Sequence, residues 1–229
     1  MKTQSFRFRG GVVRIAAFHG STDVASLALR GRGSLAPASV QRLLERVRDA
    51  GYREVVTNAL APAATLALVD AGFSVRDRLR VLAHDLDDVP AMSRRTRRAR
   101  RTDRDAILAV DAAAFDDFWR LDGPGLDDAR RATRSAQLRV NRGTDVTAYA
   151  LFGRAGNDGY VQRLAVAPAA QGHGLGAALV GDGLAWLAEH GARQAFVNTQ
   201  TVNDRAYALY RRCGFEPLPV GLCVLGREL

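Results

Sequence analysis

The chain has 229 residues, 47% of them apolar and 25% charged, which is the balance of an ordinary globular protein. No run approaches the roughly 20 apolar residues of a membrane helix, and the N-terminus lacks the apolar core of a secretory signal, so we expect a cytoplasmic protein. The net charge of +9 favours an anionic partner without choosing among nucleotides, acidic peptides and nucleic acids. Two cysteines, and four histidines without metal-ligand spacing, predict neither a disulfide framework nor a metal site.

The first part of the chain predicts alternating strands and helices. The predicted order is strands at 12–18 and 24–29, a helix at 39–50, a strand at 55–58, a helix at 61–70 and a strand at 79–86. Pro37 is acceptable near a helix start, and Gly51 is typical just after a helix end. We assign residues 1–90 to a first domain.

The next segment, SRRTRRARRTDR at residues 93–104, carries seven arginines and no large apolar residue. We interpret residues 91–101 as a solvated linker that leads into an edge strand of a second domain. The alternative is a nucleic-acid-binding patch at Arg94–Arg101. No aromatic residue alternates with these arginines to stack on bases, which favours the linker.

Residues 102–229 predict a second domain of mixed helices and strands. The predicted elements are a helix at 102–118, strands at 136–140, 146–152 and 160–166, a helix at 174–189, a strand at 194–198, a helix after Asn203 and a strand at 220–225. Asn203 is a typical N-cap residue.

The first domain repeats the order of elements in the second half of this pattern. AGYREVVTN at 50–58 aligns with HGARQAFVN at 190–198, and ALVDAGF at 67–73 aligns with ALYRRCGF at 208–215. The sequence therefore predicts two related halves.

A glycine-rich loop, QGHGLG at 171–176, lies between a predicted strand and a predicted helix. Free N–H groups and the helix dipole make such a helix start a site for anions. A Walker loop would need Lys and Ser or Thr where Ala177 and Ala178 stand. A dinucleotide fingerprint would need G-x-G-x-x-G and a later acidic residue, and the loop offers G-x-G-x-G followed by Arg193 and Gln194.

The loop, the preceding LAVAP and the downstream VNDRAYALYRRCGF together resemble two signature motifs of the GNAT superfamily of acyl-CoA N-acyltransferases. The resemblance covers residues 101–229. It implies an α/β (α+β) fold, with a mixed, mostly antiparallel central sheet flanked by helices. The local sequence of these motifs is similar to that of bacterial ribosomal-protein N-terminal acetyltransferases.

The resemblance implies acetyl-CoA as cosubstrate and no metal. Its pyrophosphate would bind the loop, and its pantetheine arm would pair with the preceding strand. The implied binding residues are Leu164, Ala165, Val166, Gln171, Gly172, His173, Gly174, Leu175, Gly176, Asn203 and Tyr210. A backbone N–H near Val166 would stabilise charge on the thioester oxygen, Tyr210 would protonate the departing thiolate, and Asn203 would contact the arm or cap its helix.

The general base is left open. Many members of the superfamily carry a glutamate on the central strand, where this chain has Gln162 and Arg163. Asp116 and Asp117 lie where acceptor sites often form, so they either orient a cationic amine or are ordinary surface acids.

The predicted activity is transfer of an acetyl group to a primary amine on a protein N-terminus, a lysine or a small molecule. The alternative is a regulatory protein that senses acyl-CoA or binds nucleic acid. In the first domain, the matching loop reads GRGSLA, Leu68 replaces Tyr210 and Ala61 replaces Asn203. We therefore expect a degenerate domain without a cofactor site.

Overall fold

The computed structural model describes residues 4–31, 33, 35–89, 93 and 95–229, which form two compact units. Unit 1 contains the described residues of 1–81 together with 200–202 and 218–229. Unit 2 contains the described residues of 82–199 together with 203–217. In the described part of the chain, no helix is long and apolar enough to cross a membrane.

Unit 1 is a sheet with two helices. Its elements are β1 (Gln4–Phe8), β2 (Gly11–Ala17), β3 (Val24–Gly31), α1 (Pro37–Asp49), β4 (Glu54–Thr57), α2 (Pro62–Asp70), most of β5 (Ser74–His84), and β12 (Leu222–Glu228) from the end of the chain. The strand order is β1-β2-β3-β4-β12-β5, antiparallel except for the parallel pair β3 and β4.

The core of unit 1 follows from the apolar stripe of α1. Val40, Leu43, Leu44 and Val47 recur at helical spacing and are fully buried. They pack against alternating residues of the sheet, including Val13 and Leu27. The described residues therefore build a complete hydrophobic core for unit 1.

Unit 2 contains further strands with helices on both of their faces. Its elements are the end of β5, β6 (Thr96–Arg98), α3 (Arg104–Ala114), α4 (Gly123–Arg131), β7 (Ser135–Asn141), β8 (Ala148–Ala155), β9 (Asp158–Val166), α5 (Leu175–Glu189), all but the last residue of β10 (Gln194–Gln200), α6 (Asp204–Arg212) and β11 (Glu216–Pro217). Strands β6 to β9 are antiparallel neighbours, and β10 is parallel to β9.

Two apolar clusters lie on opposite faces of this sheet. On one face, α5 packs through Leu179, Val180 and Leu184 against Phe152 of β8. On the other face, the cluster contains Ile107 and Val110 of α3, Leu126 of α4, and Val140, Tyr149 and Ala165 of the strands. The predicted mixed, mostly antiparallel sheet flanked by helices is confirmed.

The unit boundaries differ from the predicted domain boundaries. The chain passes between units inside β5, between residues 81 and 82, rather than at 91–101. Within that predicted linker, β6 pairs with β7, while residues 90–92 and Arg94 lie outside the described residues. The last strand, expected in the second domain, pairs with β4 and β5 in unit 1.

Three local predictions also differ. The helix predicted at 102–118 ends at Ala114, because Phe115 adopts an extended backbone conformation (φ −125°, ψ 150°). Helix α4 was not predicted, since Gly123, Pro124 and Gly125 at its start resemble a loop. Its N-terminus is capped by the Asp122 carboxylate, which accepts a hydrogen bond from the N–H of Gly125 at 2.7 Å. Strand β1 was also not predicted.

Candidate active site

Strands β9 and β10 separate part of the way along their length. Their parallel pairing covers four residue pairs and ends at Val161 with Val197. Strand β9 continues to Val166 and β10 continues to Gln200. Residues 162–166 of β9 therefore present a backbone edge that β10 does not cover. We call the space beside this edge the β9–β10 cleft.

A β-bulge in β9 marks the point where the strands separate. Leu151 of β8 pairs with Arg163, and the next residue, Phe152, pairs with Val161, so Gln162 is an extra residue. A bulge bends its strand and increases the local twist. Its position, directly after the last β9–β10 pair, explains why the two strands diverge.

The predicted glycine loop lies at the end of β9 and opens α5. Gly172 and Gly174 have φ values of +83° and +76°, in the left-handed region that favours glycine. Gly174 is the N-cap of α5, and the helix begins at Leu175. A Cβ atom added to Gly176 would lie 3.1 Å from Leu209 Cδ2 of α6. The loop thus presents the start of a 15-residue helix beside the cleft.

Side chains hold both ends of this loop. The Gln171 carboxamide donates through Nε2 to the Val166 carbonyl at 2.9 Å, and its Oε1 accepts from Arg205 of α6. Arg95 donates through Nη2 to the His173 carbonyl at 2.7 Å. We did not predict the role of Arg95, because an arginine next to other arginines carries no signal of a distant carbonyl partner.

A buried ion pair anchors β6, the strand that follows Arg95. The Asp182 carboxylate of α5 is fully buried and lies 3.2 Å from Arg139 Nη2 of β7. It also accepts hydrogen bonds from the Thr96 hydroxyl and the Ser93 N–H. Removing one partner of a buried ion pair typically costs 3–5 kcal/mol of folding stability. Because Ser93 and Thr96, on either side of Arg95 in sequence, both bond Asp182, this network fixes the position of Arg95 relative to α5.

The two predicted catalytic residues lie in helix α6 and at its N-cap. The Asn203 carboxamide oxygen accepts from the Ala206 N–H at 3.0 Å, so this residue caps the helix. Tyr210 is 5% exposed, and its ring centroid lies 5.7 Å from that of Phe215. Burial raises the pKa of the Tyr210 hydroxyl, which keeps its proton in place at neutral pH.

A second buried ion pair lies on the opposite face of the sheet, beside the bulge. Arg163 binds the fully buried Asp111 carboxylate through Nε at 2.7 Å and Nη2 at 2.9 Å. The same carboxylate accepts from the Tyr149 hydroxyl and from the Leu121 N–H. The Asp111 carboxylate therefore accepts four hydrogen bonds. The sequence analysis did not predict a role for this residue.

Arg163 also orders the segment after α3. Its Nη2 donates to the Trp119 carbonyl at 2.7 Å, and its guanidinium carbon lies 3.5 Å from the centre of the Phe115 ring. A guanidinium above an aromatic face is attracted by the ring quadrupole. The residue found in place of a strand glutamate is thus an ordering residue for segment 115–121.

The other predicted site residues have local contacts. Asp116 accepts from the N–H groups of residues 118 and 119, and Asp117 lies 2.9 Å from Arg120. Leu164 and Val166 pack against the α5-side core, whereas Ala165 is buried on the α3 side. The His173 side chain is exposed.

The matching position in unit 1 is closed by its own side chain. Strands β3 and β4 pair over four residues, ending at Leu27 with Thr57. The residue directly after β4, Asn58, accepts through Oδ1 from the Leu29 N–H at 2.8 Å. This carboxamide occupies the edge of β3 that corresponds to the edge left open in β9.

The helix that follows ends in the same way in the two halves. The Phe73 N–H donates to the Leu68 carbonyl, as the Phe215 N–H donates to the Tyr210 carbonyl, both at 3.0 Å. Leu68 thus has the same position relative to its helix end as Tyr210. In the matching loop, Gly33 donates to the Gly10 carbonyl, while Arg32 and Ser34 lie outside the described residues.

Comparisons with known proteins agree with this geometry. A model of the "Acetyltransferase (GNAT) family" matches residues 107–215. A curated mycothiol acetyltransferase from Amycolatopsis mediterranei (strain U-32) is 33% identical over 202 residues, or 78% of this chain and 66% of that relative. The match thus spans slightly less than two thirds of the relative's length.

Solved structures show the same fold at low identity. A GCN5-related N-acetyltransferase from Sphaerobacter thermophilus has a TM-score of 0.68 at 17% identity, covering 96% of this chain and 76% of its own. A tandem GNAT protein from the clavulanic acid biosynthesis pathway has a TM-score of 0.69 at 15% identity, covering 96% of this chain and 79% of its own.

Proposed function

We propose that this chain, whose residues 107–215 match a model of the acetyltransferase (GNAT) family, transfers an acetyl group from acetyl-CoA to a primary amine by direct attack in a ternary complex. The observation that carries the proposal is the β9–β10 cleft, which lies beside a left-handed glycine loop at the start of α5. An uncovered strand edge suits an extended amide-bearing arm, and a helix start suits a pyrophosphate.

In this proposal, the amides of residues 172–176 hold the pyrophosphate, and the backbone of Leu164 and Val166 pairs with the pantetheine arm. Arg95 acts indirectly: it holds the His173 carbonyl and so orients the loop, while the backbone amides bind the pyrophosphate. The thioester oxygen would accept from a backbone N–H near Val166.

The amine nitrogen forms a bond to the thioester carbonyl carbon, and the carbon–sulfur bond breaks. The departing thiolate takes the proton of the Tyr210 hydroxyl, which then regains a proton from solvent. The raised pKa of buried Tyr210 supports this role, because the group is protonated when the amine attacks. The proton lost by the amine passes to water. No side chain is assigned as base, and Asp111 is engaged by four donors.

The test is thiol release from acetyl-CoA in the presence of a panel of amines. The panel should begin with amines related to mycothiol, since the curated relative is named for that compound, and should include peptide N-termini and lysine. Tyr210→Phe should lower kcat at least tenfold, without weakening acetyl-CoA binding. Tyr207→Phe, on the same helix α6, is the matched control and should retain activity.

Normal turnover by Tyr210→Phe would refute the general-acid assignment. If the wild-type chain binds acetyl-CoA and releases no thiol with any amine, the proposed transferase activity is wrong and acyl-CoA sensing replaces it. DNA binding that disappears when Arg94–Arg101 are neutralised would favour a nucleic-acid role.

We further propose that unit 1 has no acetyl-CoA site. The Asn58 carboxamide bonds the strand edge that an arm would need, and Leu68 and Ala61 stand in place of Tyr210 and Asn203. Calorimetric titration should therefore give one acetyl-CoA per chain. Two bound molecules per chain would overturn this proposal.

A further inference from the structure

The internal repeat assigns a role to a residue that the family motifs do not include. The last β3–β4 pair is Leu27 with Thr57, and the residue directly after β4 is Asn58. The last β9–β10 pair is Val161 with Val197, and the next residue of β10 is Asn198. The same residue type therefore follows the last pair in each unit.

The two asparagines differ in what lies opposite them. In unit 1, the Asn58 carboxamide accepts from the N–H of Leu29, the second residue of β3 after its last pair. In unit 2, the bulge adds Gln162 after the last pair. Leaving out Gln162, the second residue of β9 after Val161 that pairs with β8 is Leu164. Leu164 is therefore the counterpart of Leu29, and its N–H lies on the edge that faces the cleft.

Asn198 lies across the cleft from that edge. Its side chain is exposed, whereas its neighbours Val197 and Thr199 are 4% and 7% exposed. A carboxamide has both donors and an acceptor, which is the set that an amide of the pantetheine arm requires. An arm that pairs with β9 on one side would meet Asn198 on the other.

We propose that Asn198 binds the pantetheine arm of acetyl-CoA through hydrogen bonds to an amide group. The proposal rests on the proposed function, since it assumes acetyl-CoA as the ligand. In unit 1, the Asn58 side chain bonds the strand edge itself. In unit 2, the arm of acetyl-CoA would bond that edge, and Asn198 would bind the arm.

The experiment compares two ligands by isothermal titration. Acetyl-CoA contains the arm, and adenosine 3′,5′-bisphosphate contains the nucleotide end without the arm. Asn198→Ala should weaken acetyl-CoA about five- to tenfold, the loss expected for one or two neutral hydrogen bonds. The affinity for the bisphosphate should stay within about twofold, because that ligand does not reach Asn198.

The matched control is Asn58→Ala in unit 1, which should change neither affinity. Equal weakening of both ligands by Asn198→Ala would indicate a structural role and overturn the proposal, and so would no weakening of either. If the wild-type chain does not bind acetyl-CoA, the proposed function itself fails, and this outcome is seen before any variant is made.

Discussion

The sharpest test of the loop compares two glycines with nearly the same left-handed φ angle at different positions in the chain. Gly172 in the loop and Gly191 after α5 have φ values of +83° and +82°. Both are exposed, and a Cβ atom added to either would meet nothing within 4 Å. Alanine at these two positions therefore introduces the same backbone strain without a steric clash.

The strain should lower stability equally in the two variants. A left-handed conformation costs an L-residue about 1–2 kcal/mol. For a chain of this size, that corresponds to a fall in Tm of about 2–4 °C per kcal/mol. We expect Gly172→Ala and Gly191→Ala to show similar shifts in thermal unfolding without ligand.

Binding should separate the two variants. A relaxed loop in Gly172→Ala would turn an amide away from the pyrophosphate, and a hydrogen bond to a charged group is worth about 1.5–3 kcal/mol. The KM for acetyl-CoA should rise at least about tenfold for Gly172→Ala and should not change for Gly191→Ala. Equal KM values for both variants, measured by thiol release, would refute the assignment of this loop to the pyrophosphate.

Two further predictions concern the arginine-rich segment. Arg95→Gln should raise the KM for acetyl-CoA about fivefold with kcat unchanged, because it loses the bond to the His173 carbonyl. The control Arg98→Gln removes the same charge from an exposed position of β6, and an equal rise there would show a nonspecific charge effect. The Arg97 hydrogen bond lowers the pKa of Asp103 to about 2. The bond between Arg97 and ionised Asp103 therefore stabilises the fold above the unfolded pKa of about 3.9, and this stabilisation is lost as pH falls toward 2. The stability deficit of Arg97→Gln in urea unfolding should therefore shrink between pH 5 and pH 2, and a constant deficit would contradict the reasoning.

The sequence predicted those parts of the site that depend on local backbone rules. Left-handed glycines and an asparagine cap are required by the conformation of a few consecutive residues, so QGHGLG and Asn203 were readable. The period of apolar residues was enough to predict α5 and the three strands before it.

The unpredicted parts depend on contacts between residues far apart in sequence. Arg163 meets Asp111 across 52 residues, and Arg139 meets Asp182 across 43. Each member alone is an ordinary charged residue in an amphipathic pattern. Only the fold brings the partners together, so no local rule could distinguish them from the other arginines and aspartates of this chain.

The position of the last strand was unpredictable for a related reason. LCVLGRE is a plausible strand in either half, because its alternation fits any half-buried sheet position. Its neighbours, β4 and β5, are fixed by pairing across more than 140 residues, and the bond from the Leu225 N–H to the Thr57 hydroxyl in unit 1 is one consequence. Sequential reasoning placed the strand in the nearer domain.

The two halves show how one frame gives a closed and an open strand edge. Backbone N–H groups need a partner, and an uncovered edge is a liability that folds normally remove. Unit 1 removes it with the Asn58 carboxamide at 2.8 Å from the Leu29 N–H. Unit 2 has the same residue type available at Asn198, yet the bulge at Gln162 diverts β9 and the edge stays open. An open strand edge beside a helix start that suits anions has the features of a site for an extended anionic ligand. Only unit 2 has this combination among the described residues, and the contrast supports acetyl-CoA binding in unit 2 alone.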